Sequence, residues 1–281
     1  MTPVSLKRFL FLLLVLLACP GCAEEVIPKI AAPVTATGSS PEKKGPGGRH
    51  HSVPVMGNWQ VRDVAVEELS GLCMNKDTTG LWAVGDEGAL CAVSFDGDIR
   101  PVLSLSLDLE GVTIDAVTGD LYVAAEGDQM VCRIAAPDYQ RVDTLFHVQE
   151  ALLRDFENNG LEGIAYYRDS LLLVGSQEDA LLWVYRLDGT PVTRISLLTE
   201  TSLIDEIAGL FYDARKNWLW VTDSNTQRLF IFSMDGFDLV ASYDVPFIEN
   251  AESICVDRAR SCVWVGSDED TPKLYKISFT F

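Results

Sequence analysis

Apolar residues come in short runs of three or four, separated by turns rich in Asp, Asn, Gly and Glu, and almost nowhere at helical spacing. Runs this short, rich in Val, Ile, Leu and aromatic residues, predict strands. One corner recurs before such a run. It reads Glu68-Leu69-Ser70-Gly71-Leu72, Asp108-Leu109-Glu110-Gly111-Val112, Leu161-Glu162-Gly163-Ile164, Glu206-Ile207-Ala208-Gly209-Leu210 and Asn250-Ala251-Glu252-Ser253-Ile254. Aligned on Gly71, Gly111, Gly163, Gly209 and Ser253, the copies lie 40, 52, 46 and 44 residues apart. Periods of this size mark stacked supersecondary units.

Each unit continues in the same order. The corner opens a first strand, such as Ile164-Ala165-Tyr166. A turn leads to a second, such as Leu81-Trp82-Ala83-Val84, and a third follows, such as Leu229-Phe230-Ile231-Phe232. Three of the third strands run into Asp-Gly, at Asp96-Gly97, Asp188-Gly189 and Asp235-Gly236, a pair suited to the positive φ of tight hairpins. Fourth strands such as Leu239-Val240-Ala241-Ser242 complete four units. Four antiparallel strands in a repeat of this length form the blade of a β-propeller. The fifth unit ends at Phe281 without a fourth strand, while the strand-like stretch at residues 59–66 has no unit of its own. The expected fold is therefore all-β, a five-bladed β-propeller over 58–281 whose last blade is closed by the strand near 59–66. Closure removes the free edges of an open array. The long 52-residue spacing is explained by a short helix over Gln149 to Glu157. Trp82, Tyr122, Trp220 and Trp264 recur in register on second strands, which points to packing between blades rather than a ligand cage.

The amino terminus differs in kind. Lys7-Arg8, a ten-residue uncharged run from Phe9 to Ala18, and a small residue before Cys19 describe a signal peptide, too short to span a bilayer. Leu16-Leu17-Ala18-Cys19 resembles a lipobox, with Cys19 the residue that takes the lipid; Cys22 is a second possible site. The expected organisation is a lipoprotein signal at 1–18, a lipid-anchored tether at 19–57, rich in Pro, Gly, Ser and Lys, and then the propeller. Cys19-Pro20-Gly21-Cys22 has the spacing of a redox motif but sits at the cleavage site, without the folded surroundings that activate such a thiol. Five cysteines remain in the propeller. Cys255 and Cys262 flank a turn and could pair, though strand cysteines are more often small buried hydrophobes.

Net charge is −19, near −21 after loss of Lys7 and Arg8. That excludes nucleic acid as the expected partner, since phosphate binding needs Lys and Arg. The acids also cluster. Starts of first strands and ends of second strands lie at one face of a propeller, and both are acidic, the latter in Asp86-Glu87, Glu126 and Asp268-Glu269-Asp270. Carboxylates packed together raise one another's pKa unless a cation compensates, and a hard divalent ion such as Ca2+ suits oxygen ligands. The candidate ligands are Glu110, Glu162 and Glu252, at matched corners, followed by Glu126 and Glu206. Ser70 and Ala208 lack the acid, so the ring is expected to be lopsided. Zinc is unsuited, with His147 the one histidine beyond the tether.

The corners, together with Trp82-Ala83-Val84-Gly85-Asp86-Glu87 and Tyr122-Val123-Ala124-Ala125-Glu126, resemble the SdiA-regulated family of bacterial envelope proteins, distant kin of NHL-repeat proteins. The resemblance implies a five-bladed propeller, an amino-terminal membrane-targeting segment and bound calcium, and no established biochemical role. Two functions fit: a lipid-anchored calcium-binding propeller that recognises a small molecule or protein at the envelope, and a metal-dependent lactone or ester hydrolase by analogy with gluconolactonase-type propellers. No G-x-S-x-G or H-E-x-x-H motif is present, so a histidine-based triad is disfavoured.

Overall fold

The computed structural model describes residues 52–154 and 160–281. The expected signal peptide, Cys19, the expected tether as far as residue 51, His50-His51 within it, and the stretch 155–159 lie outside the described residues.

The chain enters through β1 (Val55–Asp63). Blade one is β2 (Leu69–Met74), β3 (Gly80–Gly85), β4 (Ala89–Ser94) and β5 (Ile99–Ser104); blade two is β6 (Leu109–Ile114), β7 (Leu121–Ala125), β8 (Met130–Ala135) and β9 (Arg141–His147). After the helix α1 (Gln149–Arg154) comes blade three: β10 (Leu161–Tyr167), β11 (Leu171–Ser176), β12 (Leu181–Arg186) and β13 (Pro191–Ser196). Blade four is β14 (Gly209–Asp213), β15 (Trp218–Asp223), β16 (Arg228–Ser233) and β17 (Leu239–Asp244); blade five opens with β18 (Ala251–Asp257), β19 (Cys262–Ser267) and β20 (Lys273–Thr280). Its sheet is completed by β1, in the order β1-β20-β19-β18, so the two ends of the propeller meet in one blade. The fold is all-β, five four-stranded antiparallel sheets in a ring, with the closure that the unpaired stretch near 59–66 predicts, shifted a few residues toward the amino terminus.

The first strands form the inner ring, β2 beside β6, β6 beside β10, β10 beside β14, β14 beside β18 and β18 back beside β2. Burial follows position. Second strands such as β3, β15 and β19 are buried throughout, while the outer β5 and β17 are largely part-exposed. This is why the second strands read as continuous apolar runs.

The register aromatics carry the blade-to-blade contacts. Trp82 of blade one meets Tyr139 of blade two at 4.6 Å, Tyr122 of blade two meets Tyr166 of blade three at 5.6 Å, and Trp220 of blade four meets Phe279 of blade five at 5.4 Å. Trp264 of blade five stacks on Phe95 of blade one at 5.2 Å and closes the circle. All four aromatics are buried. A buried ion pair joins blades four and five: Arg258 donates from Nε to Asp213 Oδ2 at 2.9 Å and adds a second bond from Nη2 to the same oxygen.

Two of the Asp-Gly turns behave as their composition predicts, with Gly97 and Gly189 at positive φ. In the third, the left-handed position falls on Phe237 rather than Gly236. Cys255 and Cys262 do not pair. Cys255 faces Trp264 and Cys262 faces Asp257 across the hairpin, and all five described cysteines are buried free thiols.

The latch makes a prediction. Trp59 of β1 stacks on Phe247 at 4.6 Å with the rings 5° apart, although its other face leaves it exposed. Trp59→Ala should cost about 2 kcal/mol in a urea melt, from lost ring contact and apolar burial. An unchanged midpoint would mean that this stack contributes nothing to closure.

Candidate metal centre

In blades one, two, three and five the recurring corner is a β-bulge. Leu69 pairs with Gly85 and Gly71 with Val84, so Ser70 is an extra residue against β3. Glu110 holds the same place in β6 and Glu252 in β18, and the shift between Leu161 and Ile164 in β10 contains Glu162. A bulge re-aims a side chain out of the normal alternation. Here it turns the corner residue away from the apolar faces and toward the cleft, though Ser70, Glu110 and Glu162 are still buried, while its predecessor (Leu69, Leu109, Leu161 or Ala251) stays in the apolar core.

The glycine that follows has a separate reason, which is crowding at the axis. A Cβ on Gly111 would lie 2.4 Å from the Glu162 carbonyl oxygen, and one on Gly209 would lie 2.5 Å from that of Glu252. Neighbouring inner strands approach too closely for a side chain. Ser253 breaks the rule because Gly266 lies opposite it and leaves the room: a Cβ there would meet Ser253 Oγ at 2.4 Å.

The corners and the ends of the second strands enclose a cleft of about 320 Å³. Seven carboxylates line it, from Asp86, Asp108, Glu110, Glu126, Glu162, Glu252 and Asp268, with Ser70, Gln177 and Asn250 as neutral polar groups. Among the described residues no Lys, Arg or His lines it. Four of the five candidate ligands, Glu110, Glu162, Glu252 and Glu126, therefore share one cleft. Glu126 is fixed by the Gly160 N–H, which donates to its Oε1 at 2.7 Å. Glu206 stands apart: Asn225 donates to its two oxygens, from the backbone at 2.9 Å and from Nδ2 at 2.6 Å. It lines a neighbouring cleft with Gln177, Glu178, Asp179, Asp205 and Asn225.

The tightest grouping is not the set of matched glutamates. Asp86, Asp108 and Glu110 each offer an oxygen, and these oxygens lie within 4.8 Å of one another. Asp86 comes from the end of the second strand of blade one, where the inner corner is Ser70. The Ser70 hydroxyl donates to Asp86 Oδ1, so this carboxylate stands where the corner has none. Asp86 could have been singled out from the sequence by that compensation: blade one lacks its corner acid and keeps one directly across the hairpin. Gln177 and Asn250 carry no such signal. The asymmetry expected from Ser70 and Ala208 takes the form of a cluster toward blades one and two.

The electrostatics are those of carboxyls crowded out of water. Burial lifts Asp86 to about 6, with Asp108, Glu68 and Asp268 adding to it and the Ser70 hydroxyl opposing. Burial, then Glu206 and Asp268, pushes Glu252 up to about 8. Glu110 is raised by burial and by Asp86 and Asp108, and Glu162 well above the carboxylate range by burial, Glu110 and Glu252. Burial also raises Glu126 and Glu206, against the N–H donors of Gly160 and Asn225. Glu110 and Glu252, raised furthest among those with a value, hold protons near neutral pH unless a positive charge replaces them. The donor set fits a hard cation: it is all oxygen, anionic, and contains neither imidazole nor thiolate.

His147 ends β9 on the exposed outer strand, its Nδ1 3.0 Å from the Asp128 carbonyl, away from this cleft.

The SdiA-regulated family profile matches residues 57–202, from within β1 to beyond β13. The chain belongs to the SdiA-regulated family. No curated protein sequence matches it. Among solved structures, glutaminyl cyclase from Myxococcus xanthus superposes with a TM-score of 0.59 at 12% identity, over 80% of this chain and 96% of that one. The Xanthomonas campestris gluconolactonase gives 0.53 at 14%, over 78% and 88%, and a luciferin-regenerating enzyme 0.52 at 11%, over 79% and 95%. At such identities this member of the SdiA-regulated family shares with them a propeller fold and no more.

Proposed function

We propose that the protein is a calcium-binding propeller of the bacterial cell envelope that uses its carboxylate-lined cleft to recognise a small molecule or a protein. The observation that carries this is the convergence of Asp86, Asp108 and Glu110, from two blades, with oxygens within 4.8 Å and no cationic side chain among the described residues that line the cleft. Glu126, Glu162 and Glu252 stand in the same cleft as further oxygen donors. Calcium takes six to eight oxygens, and when bound it offers a ligand's carboxylate or hydroxyl oxygens a positive site on an otherwise repulsive surface. Lipid attachment at Cys19, supported by Leu16-Leu17-Ala18-Cys19 after a basic and apolar start, would hold the propeller at a membrane. No described helix is long and apolar enough to cross a bilayer.

Lactone or ester hydrolysis is the second reading, and Glu162 is the observation behind it. Burial among other acids raises this carboxyl well above its usual range, so it can hold a proton to give to a leaving group.

Calorimetric titration of the full chain with calcium tests the proposal. A single saturable site is expected, weakened about 100-fold by Asp86→Asn with Glu110→Gln through loss of ligand charge. Absence of binding at millimolar calcium sinks it. A chelator-sensitive turnover in a lactone and ester screen, lost in Glu162→Gln, would replace recognition by hydrolysis.

A further inference from the structure

The central channel has two unlike mouths. At the far end from the carboxylates the inner strands enclose a second cavity of about 340 Å³. Its floor is Leu72, Val112 and Leu210, which also narrow the channel to a throat of about 10 Å³, room for about one water. Its sides are Met74, Ile114, Tyr166, Phe211 and Tyr212, all half-buried. These residues lie toward the ends of their strands, packed on one side against the cores of the blades and leaving the other side to the channel mouth. The turn residues Asp115, Ala116, Val117 and Ala214 stand around them as a wall, so the apolar floor is recessed and a flat partner would not reach it.

Charge at this mouth is mixed, where the first is lined by carboxylates alone among its charged groups. Arg168 is the one cation among the described lining residues, its guanidinium 5.0 Å above the Tyr167 ring. Lys76 lies behind the wall, its Nζ donating to the Val117 and Thr118 carbonyls at 2.7 and 3.1 Å. The one lining carboxylate, Asp115, is turned inward and accepts the Val117 N–H at 2.8 Å. The turns of this end and the strand ends beside them carry Lys76, Arg168, Arg215, Lys216, Arg258 and Arg260 against Asp77, Asp115, Asp120, Asp169, Asp213 and Asp257, with Arg258 paired to Asp213 and Arg260 to Asp257. An anion is repelled from the first mouth, whereas here Arg168 offers it a cation at the lip.

We propose that this cup binds a small amphiphile, with an apolar or aromatic body on the Leu72–Val112–Leu210 floor and an anionic head at Arg168. Apolar concavities of this size with one or two polar groups at the lip are the usual form of a small-molecule site. The site is independent of the cation cleft, because the throat separates them.

The test uses two fluorescent probes on the full chain, 8-anilinonaphthalene-1-sulfonate and its uncharged relative N-phenyl-1-naphthylamine. Each should bind saturably at one per chain, with or without chelator. Arg168→Ala, at an exposed position, should weaken the sulfonate about tenfold, the scale of one charged contact, and leave the neutral probe unchanged. Ile114→Trp should fill the cup and remove both, in a protein whose cooperative melt is retained. Non-saturable binding, equal loss of both probes in Arg168→Ala, or full binding to folded Ile114→Trp would overturn the assignment. So would a dimer dissociated by the probes, which would make a second copy the occupant.

Discussion

Calcium should raise the melting temperature far more at pH 8 than at pH 5. Asp86 is lifted to about 6 and Glu252 to about 8, and Glu110 and Glu162 are raised as well. The folded protein therefore holds protons that the unfolded chain releases in the ordinary carboxylate range. Stability from these groups is fully present below the unfolded pKa values and is lost as pH rises through the folded ones. Without calcium, the melting temperature should fall between pH 5 and pH 8. Calcium replaces the protons, so its contribution grows over the same interval. At a thousandfold excess over the dissociation constant, binding adds about 4 kcal/mol, or about 10 °C for a domain of this size. Scanning calorimetry across this range with calcium or chelator measures both effects. A calcium-free melting temperature that is flat or rises with pH would show that the cleft acids are not strained by burial.

Gly111→Val should abolish the fold. The added Cβ would sit 2.4 Å from the Glu162 carbonyl oxygen and 3.0 Å from the Ile164 nitrogen. Both are backbone atoms of the neighbouring blade, so neither can rotate away. Overpacking in a core commonly costs about 1–3 kcal/mol, and a collision with fixed backbone at the closure of a ring belongs beyond that range. Gly111→Ala should show the same defect as a large fall in the urea midpoint. Gly127→Ala is the control: its Cβ meets nothing nearer than 3.8 Å, so a change within about 0.5 kcal/mol is expected. Equal midpoints for Gly111→Ala and Gly127→Ala would refute close approach as the reason for the corner glycine.

The repeats were legible because each blade is local. The partners of β3 are β2 and β4, its neighbours in sequence, so short apolar runs and turns carry the pairing directly. Closure by the strand near 59–66 was legible by subtraction, from a unit that lacked a strand and a strand that lacked a unit. The register of Trp82, Tyr122, Trp220 and Trp264 signalled packing, though not which rings they meet.

What the sequence hid is decided across blades. Whether Glu206 faces the axis or is held by Asn225 depends on blade four having Ala208 at its corner without a carboxylate to aim. Asp86 joins Asp108 and Glu110 because Ser70 is small and donates to it, a contact that crosses a hairpin and then a blade boundary. The apolar cup was hidden for the same reason. Met74, Ile114 and Tyr212 look like ordinary strand ends until the ring gathers them around one opening.

The most direct measurement is a crystal structure grown in millimolar calcium, with anomalous scattering recorded to identify the ion. The expected result is a single calcium peak at about 2.3–2.6 Å from oxygens of Asp86, Asp108 and Glu110, the usual calcium–oxygen distance. A peak at Glu206 and Asn225 instead, or a cleft holding only water at that concentration, would contradict it.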